Sequence, residues 1–125
     1  MNELLLDTQV LVWIGADDPR LPQRVRDTLL DPDSKLFVSA VTAWEFADLE
    51  LRLRLPSGVS LPPILELLSA RLLDFPHNAW EKIYDLPALH RDPIDRMLIG
   101  HAMTSELTLV TSDATMRQYP VKLLW

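Results

Sequence analysis

Residues Glu3–Ala16, ELLLDTQVLVWIGA, change character at a single position. ELLLD is a short apolar run that closes on Asp7 and reads as a buried strand. TQVLVWIGA follows with no loop between and reads as a short helix. A carboxylate at that junction has two uses. It can cap the helix by accepting a backbone N–H. It also stands at the carboxyl end of a strand, where open α/β sheets place their ligands. The rest of the chain decides between them, by supplying or withholding further acids in matching places.

Outward from this junction, strands and helices alternate. DPRLPQRVRDTLLDPDS carries a helix over roughly 22–30, closed by the turn-forming DPDS. KLFVS is a second strand, and Ser39 caps a long helix over about 40–54. LPSGVSLPP, the most breaker-rich segment, reads as loop. ILELLSARL is helical, LLDF a possible strand, and 77–85 again helical. A helix runs from Pro93 to about Ser105, LTLVT is a strand, DATMRQ a short helix and VKLLW a terminal strand. The pattern predicts one α/β domain over 1–125 with a mainly parallel sheet. There is no internal repeat and no low-complexity tract.

Composition narrows the function. With 48% apolar residues the chain can bury a real core. No stretch has the roughly 18 uninterrupted apolar residues of a membrane span. The start lacks a basic leader and an A-x-A-like cleavage site, and there is no cysteine. A cytoplasmic protein with no membrane partner is therefore expected, and thiolate-metal and Cys-nucleophile chemistry are excluded. A net charge of −6 argues against a protein that coats nucleic acid. It leaves room for an enzyme acting on nucleic acid, because cations held by clustered carboxylates reverse the local field.

Four acids stand out. Asp7 ends the first strand. Glu45 lies inside the long helix with Val41 and Leu49 four residues away on either side. The other acids of that helix have basic partners at i+4, Asp48 with Arg52 and Glu50 with Arg54, but Glu45 has none. Asp95 shares a helical face with Leu98, Ile99 and Ala102, a face that should point inward. Asp113 follows a strand and opens a short helix. Asp92, in contrast, is explained as the cap before Pro93 at the first helical position. Each of the others also has an ordinary reading as a cap, a first-turn acid or an edge residue. Four such acids at strand ends and on apolar helix faces are less easily explained one by one.

Carboxylates without thiols or clustered histidines suit a hard cation, Mg²⁺ or Mn²⁺. His77, His90 and His101 are scattered and read as surface or packing residues. No Gly-rich phosphate loop can be built from three glycines, and no Ser/His/Asp arrangement is suggested. Carboxylate-held Mg²⁺ commonly binds substrate phosphates and activates water for in-line displacement at phosphorus.

LLLDTQVLVW, VSAVTAWEFA, HRDPIDRMLIGHA, TLVTSD and the ending YPVKLLW, in this order and spacing, resemble PIN-domain ribonucleases. The resemblance is to the VapC-type toxins of bacterial toxin–antitoxin pairs and spans essentially the whole chain. It implies a PIN-like three-layer sandwich with a parallel sheet of about five strands. It implies that Asp7, Glu45, Asp95 and Asp113 converge on one metal site, supported by the hydroxyl of Thr8 or Thr111, with Asp92 secondary to Asp95. It also implies an Mg²⁺-dependent endoribonuclease leaving 5′-phosphate and 3′-hydroxyl ends, a homodimer, silenced by a cognate antitoxin. The chain departs from the pattern at Gln9, where histidine is common, at Ile94, where phenylalanine is common, and at IGHA, which replaces IAQA. Little lysine follows the long helix, which ends LELRLRLP.

Two other readings stay open. One is a catalytically silent PIN interaction module. The other is phosphoryl transfer onto Asp7, in a receiver or a haloacid-dehalogenase-like phosphatase. Gln9 occupies the second acidic position of the phosphatase D-x-D motif, and the receiver's late lysine is met after TLVTSD only by Lys122.

Overall fold

A computed structural model describes residues 2–87 and 92–125. The sheet has five strands, all parallel, in the order β3-β2-β1-β4-β5. They are β1 (Glu3–Leu6), β2 (Lys35–Ser39), β3 (Arg71–Leu73), β4 (Thr108–Val110) and β5 (Leu123–Leu124). The α-helices are α1 (Thr8–Gly15), α2 (Gln23–Leu30), α3 (Ala40–Leu51), α4 (Leu61–Leu68) and α5 (Pro93–Thr104).

β1 is central because it is apolar on both faces, as a strand covered on both sides must be. Successive side chains alternate across the sheet. Leu4 and Leu6 pack with Val10, Leu11 and Ile14 of α1, Val25 and Leu29 of α2, Phe46 of α3, and Ile64 and Leu68 of α4. Leu5 packs on the opposite face with Leu98, Ile99 and Ala102 of α5 and with Leu109, Met116 and Tyr119. Helices thus cover both faces, giving the expected three layers. The chain builds β1, β2 and β3 outward on one side, then returns to lay β4 on the other side of β1. The strand order reverses between β1 and β4. That point is the switch at which open α/β sheets leave a crevice beyond their strand ends.

Four of the helices close in the same way, without glycine. Asp17, Leu53, Ser69 and Glu106 take left-handed backbone angles, with φ of 50°, 58°, 49° and 54°. The next N–H in each case turns back to a carbonyl in the last helical turn: Asp18 to Trp13, Arg54 to Leu49, Ala70 to Leu65 and Leu107 to Ala102.

Several boundaries differ from expectation, and local chemistry explains them. The closure at Leu53 ends α3 at Leu51, short of residue 54. Arg52 still pairs with Asp48 at 3.1 Å, but the Glu50–Arg54 pair is not among the ion pairs of the described residues. α4 begins inside the breaker-rich segment, because Pro62 and Pro63 fall in its first turn, where a missing N–H costs nothing. It ends at Leu68, and Ser69 frees Arg71–Leu73 to pair with β2, so this strand starts before LLDF. The 77–85 helix is a 3-10 segment, Ala79–Asp85, with Ala79 as its buried residue. DATMRQ is likewise 3-10, over Ala114–Gln118, and the terminal strand is only Leu123–Leu124. His90 lies outside the described residues. Among those described, no helix is long and apolar enough to cross a membrane.

Candidate functional site

A cleft of about 780 Å³ opens beyond the carboxyl ends of β1 and β4. Asp7, Glu45, Asp95 and Asp113 all line it. Four separate elements bring them there. Asp7 leaves β1, its N–H held by the Val110 carbonyl of β4 at 3.1 Å. Glu45 projects from the middle of α3. Asp95 comes from the first turn of α5. Asp113 follows β4. Asp92 is exposed, caps α5 by accepting the Ile94 N–H at 3.0 Å, and is not among the described residues that line the cleft.

Asp7 serves both of the uses its position allowed. Its carboxylate accepts the Val10 N–H at 2.9 Å and so caps α1, while only 9% of the residue is exposed. Burial pushes its carboxyl from 3.8 up to about 6, and the nearby Glu45 and Asp113 carboxylates push the same way. Hydrogen bonds from the Thr111 hydroxyl and the Val10 N–H oppose the rise without cancelling it. The ionised site therefore carries crowded negative charge.

The two hydroxyls named from the sequence both touch these acids. Thr8 donates to Glu45 Oε1, joining the first residue of α1 to the middle of α3. Thr111, buried at the end of β4, donates to Asp7 and accepts the Asp113 N–H at 3.1 Å. Asp113 in turn caps the following 3-10 turn, accepting from the Thr115 N–H at 3.0 Å.

Sequence reasoning gave no place on the cleft wall to Arg20, Arg54 or Ser112, and noted Gln9 only as a departure from the family pattern. Ser112 lies between Thr111 and Asp113, both already singled out, so adjacency was a usable signal. Arg54 was hidden, because the expected longer helix assigned it to Glu50. A further buried polar contact lies behind the site. His101 Nδ1 meets Ser39 Oγ at 2.9 Å, tying α5 to the residue that caps α3, and burial holds the imidazole below its usual range.

Among the described residues no three acids or histidines come close enough to form a ready-made metal cage. The all-oxygen donor set still fits a hard cation. Mg²⁺ typically takes only one or two carboxylates directly and keeps several waters. A bound cation would offset both the burial that chiefly raises the Asp7 carboxyl and the smaller repulsion from Glu45 and Asp113.

A family model described as PIN domain matches residues 4–122. Comparison with curated proteins finds no match. Among solved structures, the chain is similar to one from VapBC2 of Rickettsia felis bound to a DNA fragment from their promoter. That match has a TM-score of 0.69 and 16% identity, covering 98% of this chain and 97% of that one. It is similar to a chain of DNA-bound VapBC from Salmonella typhimurium, at a TM-score of 0.64 and 19% identity, covering 99% and 98%. It is also similar to one from FitAcB of Neisseria gonorrhoeae, at 0.67 and 21%, covering 98% and 96%.

Proposed function

The chain belongs to the PIN domain family, and from that premise we propose that it is a metal-dependent endoribonuclease, the toxin of a toxin–antitoxin pair. The observation that carries the proposal is the meeting of Asp7, Glu45, Asp95 and Asp113 on one cleft at the β1/β4 switch point. PIN domains are generally nucleases, and the likeness to the VapBC and FitAcB chains supports a nuclease toxin.

In this reading Mg²⁺, or Mn²⁺, would be held in the cleft these four acids line, by one or two carboxylates directly and by the others through its waters. The bound ion would lower the pKa of a coordinated water and offset negative charge at the attacked phosphorus. The remaining work falls to the protein. The Thr8 hydroxyl fixes Glu45 by its hydrogen bond. Thr111 fixes Asp7 through its hydroxyl and Asp113 through its N–H. The capping bonds to Val10 and Thr115 hold the backbone at both strand ends. Buried Leu98 and Met116 give the cleft an apolar floor. No side-chain nucleophile is required, because water attacks.

The partner follows from the same electrostatics. A basic antitoxin side chain seated among these acids would neutralise them and compete with the cation. The protein would act as a homodimer, and unrestrained RNA cleavage makes such a silencing partner physically necessary. Purified protein free of antitoxin should cleave RNA with Mg²⁺ or Mn²⁺ and stop when EDTA is added. Cleavage that persists in EDTA, in a preparation free of contaminating nuclease, overturns the metal mechanism. Absence of cleavage under all metal conditions favours the silent interaction module.

A further inference from the structure

We infer that Arg54 is a positioning residue that grips an RNA phosphate beside the one being cleaved. The inference rests on the nuclease reading of the cleft and names how that cleft holds its substrate. Four carboxylates and two arginines, Arg20 and Arg54, line the cleft. A polyanion entering it meets excess negative charge, so a cation on the wall has a defined task.

The two arginines differ in how far their charge is committed. Arg20 holds Asp18 through two nitrogens, at 2.7 and 3.1 Å, and lies over the Trp13 ring at 5.1 Å. Arg54 is exposed and is absent from the ion pairs of the described residues. Its position comes from the turn that ends α3. Had the helix continued, Arg54 would stand one turn beyond Glu50 as an ion pair. Instead Leu53 takes the left-handed angle and the Arg54 N–H returns to the Leu49 carbonyl at 2.9 Å. Leu49 and Arg54 then line the same wall, beside Leu55 and Pro56. A guanidinium suits that place, since its planar donors match a phosphate two bonds at a time.

The test uses the full-length chain carrying Asp95→Asn, a background that the nuclease reading makes silent in cleavage. A short fluorescein-labelled oligoribonucleotide is titrated with it in Mg²⁺ between about 50 and 200 mM salt. Arg54→Gln should lower the slope of log affinity against log salt by about 0.7, the share of one phosphate contact on a single strand. Over that fourfold salt range the affinity lost to screening should shrink by roughly 2.6-fold. Arg54→Lys should restore the slope, because charge sets it. Arg20→Gln should change it less, because Asp18 already offsets that charge.

With the catalytic acids intact, Arg54→Gln should raise KM severalfold and leave kcat nearly unchanged. An unchanged slope in a folded Arg54→Gln variant overturns the inference, as does an equal loss in Arg20→Gln. If Arg54→Gln melts early, Arg54→Met, which keeps the apolar stem and removes the charge, decides: a lowered slope supports the grip and a parental one refutes it. A parent that binds RNA through Arg54 yet cleaves none refutes the nuclease reading alone. A parent that cleaves with an Arg54-independent slope refutes this inference alone.

Discussion

Asp7 and Asp92 do the same local job in two different places. Each precedes a helix, and each accepts a first-turn N–H, Asp7 from Val10 at 2.9 Å and Asp92 from Ile94 at 3.0 Å. Asp7 is buried at the end of the central strand, with Glu45 and Asp113 near enough to raise its pKa. Asp92 is exposed and outside the cleft lining. Capping is a property of a few consecutive residues. Membership of a site is a property of strand order. The cap explanation for an aspartate and the site explanation are therefore not rivals, and finding the cap bond leaves the functional question open.

The strongest way to break this comparison is to remove charge and keep shape. Asp7→Asn and Asp95→Asn should each reduce RNA cleavage by well over a hundredfold, since even groups that merely support metal ligands are worth about 10- to 100-fold. Asp92→Asn should cost no more than a few-fold. Mg²⁺ at a hundredfold excess over Kd should stabilise the parent by about 2.7 kcal/mol, and the Asp95→Asn variant should lose most of that gain. Cleavage assays and thermal melts with and without Mg²⁺ measure both. If Asp92→Asn is the inactive variant and Asp95→Asn the active one, the two aspartates have exchanged roles and strand-end topology is not the discriminator.

A second contrast lies in pH. The Asp7 carboxyl sits at about 6 in the folded chain against 3.8 in an ordinary setting. The folded state therefore binds the proton more tightly than the unfolded one. The stabilisation this gives is fully present below about 3.8 and is lost as pH rises through about 6. Two units correspond to about 3 kcal/mol at most. Metal-free protein should lose stability between those limits, on top of the background from its other carboxylates. Asp7→Asn should remove that part of the slope, while Asp92→Asn should leave it intact. Chemical denaturation across this range decides, and parallel curves for parent and Asp7→Asn would mean that the carboxyl is not strained. Because a cation favours the ionised form, Mg²⁺ should flatten the parental slope.

The elements that carry the site were readable because they are long apolar runs with a polar boundary. ELLLD, KLFVS and LTLVT read as strands, and strand ends and apolar helix faces singled out the four acids, while their convergence on one site was what the family resemblance implied. What could not be read has a common physical origin. Half-exposed Leu72 gives β3 no distinctive pattern, so its register depended on where α4 stopped. That stop uses Ser69 in a left-handed angle, a position that glycine usually announces. Leu53 concealed the end of α3 in the same way, and with it the place of Arg54. The IGHA departure was visible but not interpretable from sequence. A Cβ at Gly100 would come within 3.2 Å of the Ala79 carbonyl, and His101 reaches Ser39. Both residues seat α5 against its neighbours, so the departure concerns packing behind the cleft. The four acids needed no such knowledge to be singled out, because strand ends and apolar helix faces mark them.

The smallest expected effect sharpens the comparison most, because it reads a cap bond at an exposed residue outside the cleft lining. Asp92→Ala removes the acceptor for the Ile94 N–H and should cost about 1 kcal/mol, within the usual range of about 0.5–2 for a lost cap. Asp92→Asn keeps an acceptor of nearly equal quality, so its melting should match the parent. The charge lost beside the helix dipole is exposed and adds only a few tenths of a kcal/mol. Asp7→Asn also keeps a cap acceptor, for Val10, but removes a strained buried charge, so above pH 6 the metal-free variant should be at least as stable as the parent. One substitution made at two caps should therefore give nearly nothing at residue 92 and a gain at residue 7. Equal and negligible shifts would show that the buried Asp7 charge stores no strain. A loss at residue 7 would show that its carboxylate is held by partners an amide cannot replace. In either case the distinction between a cap and a cap within a site would fail at the residue where it is most clearly drawn.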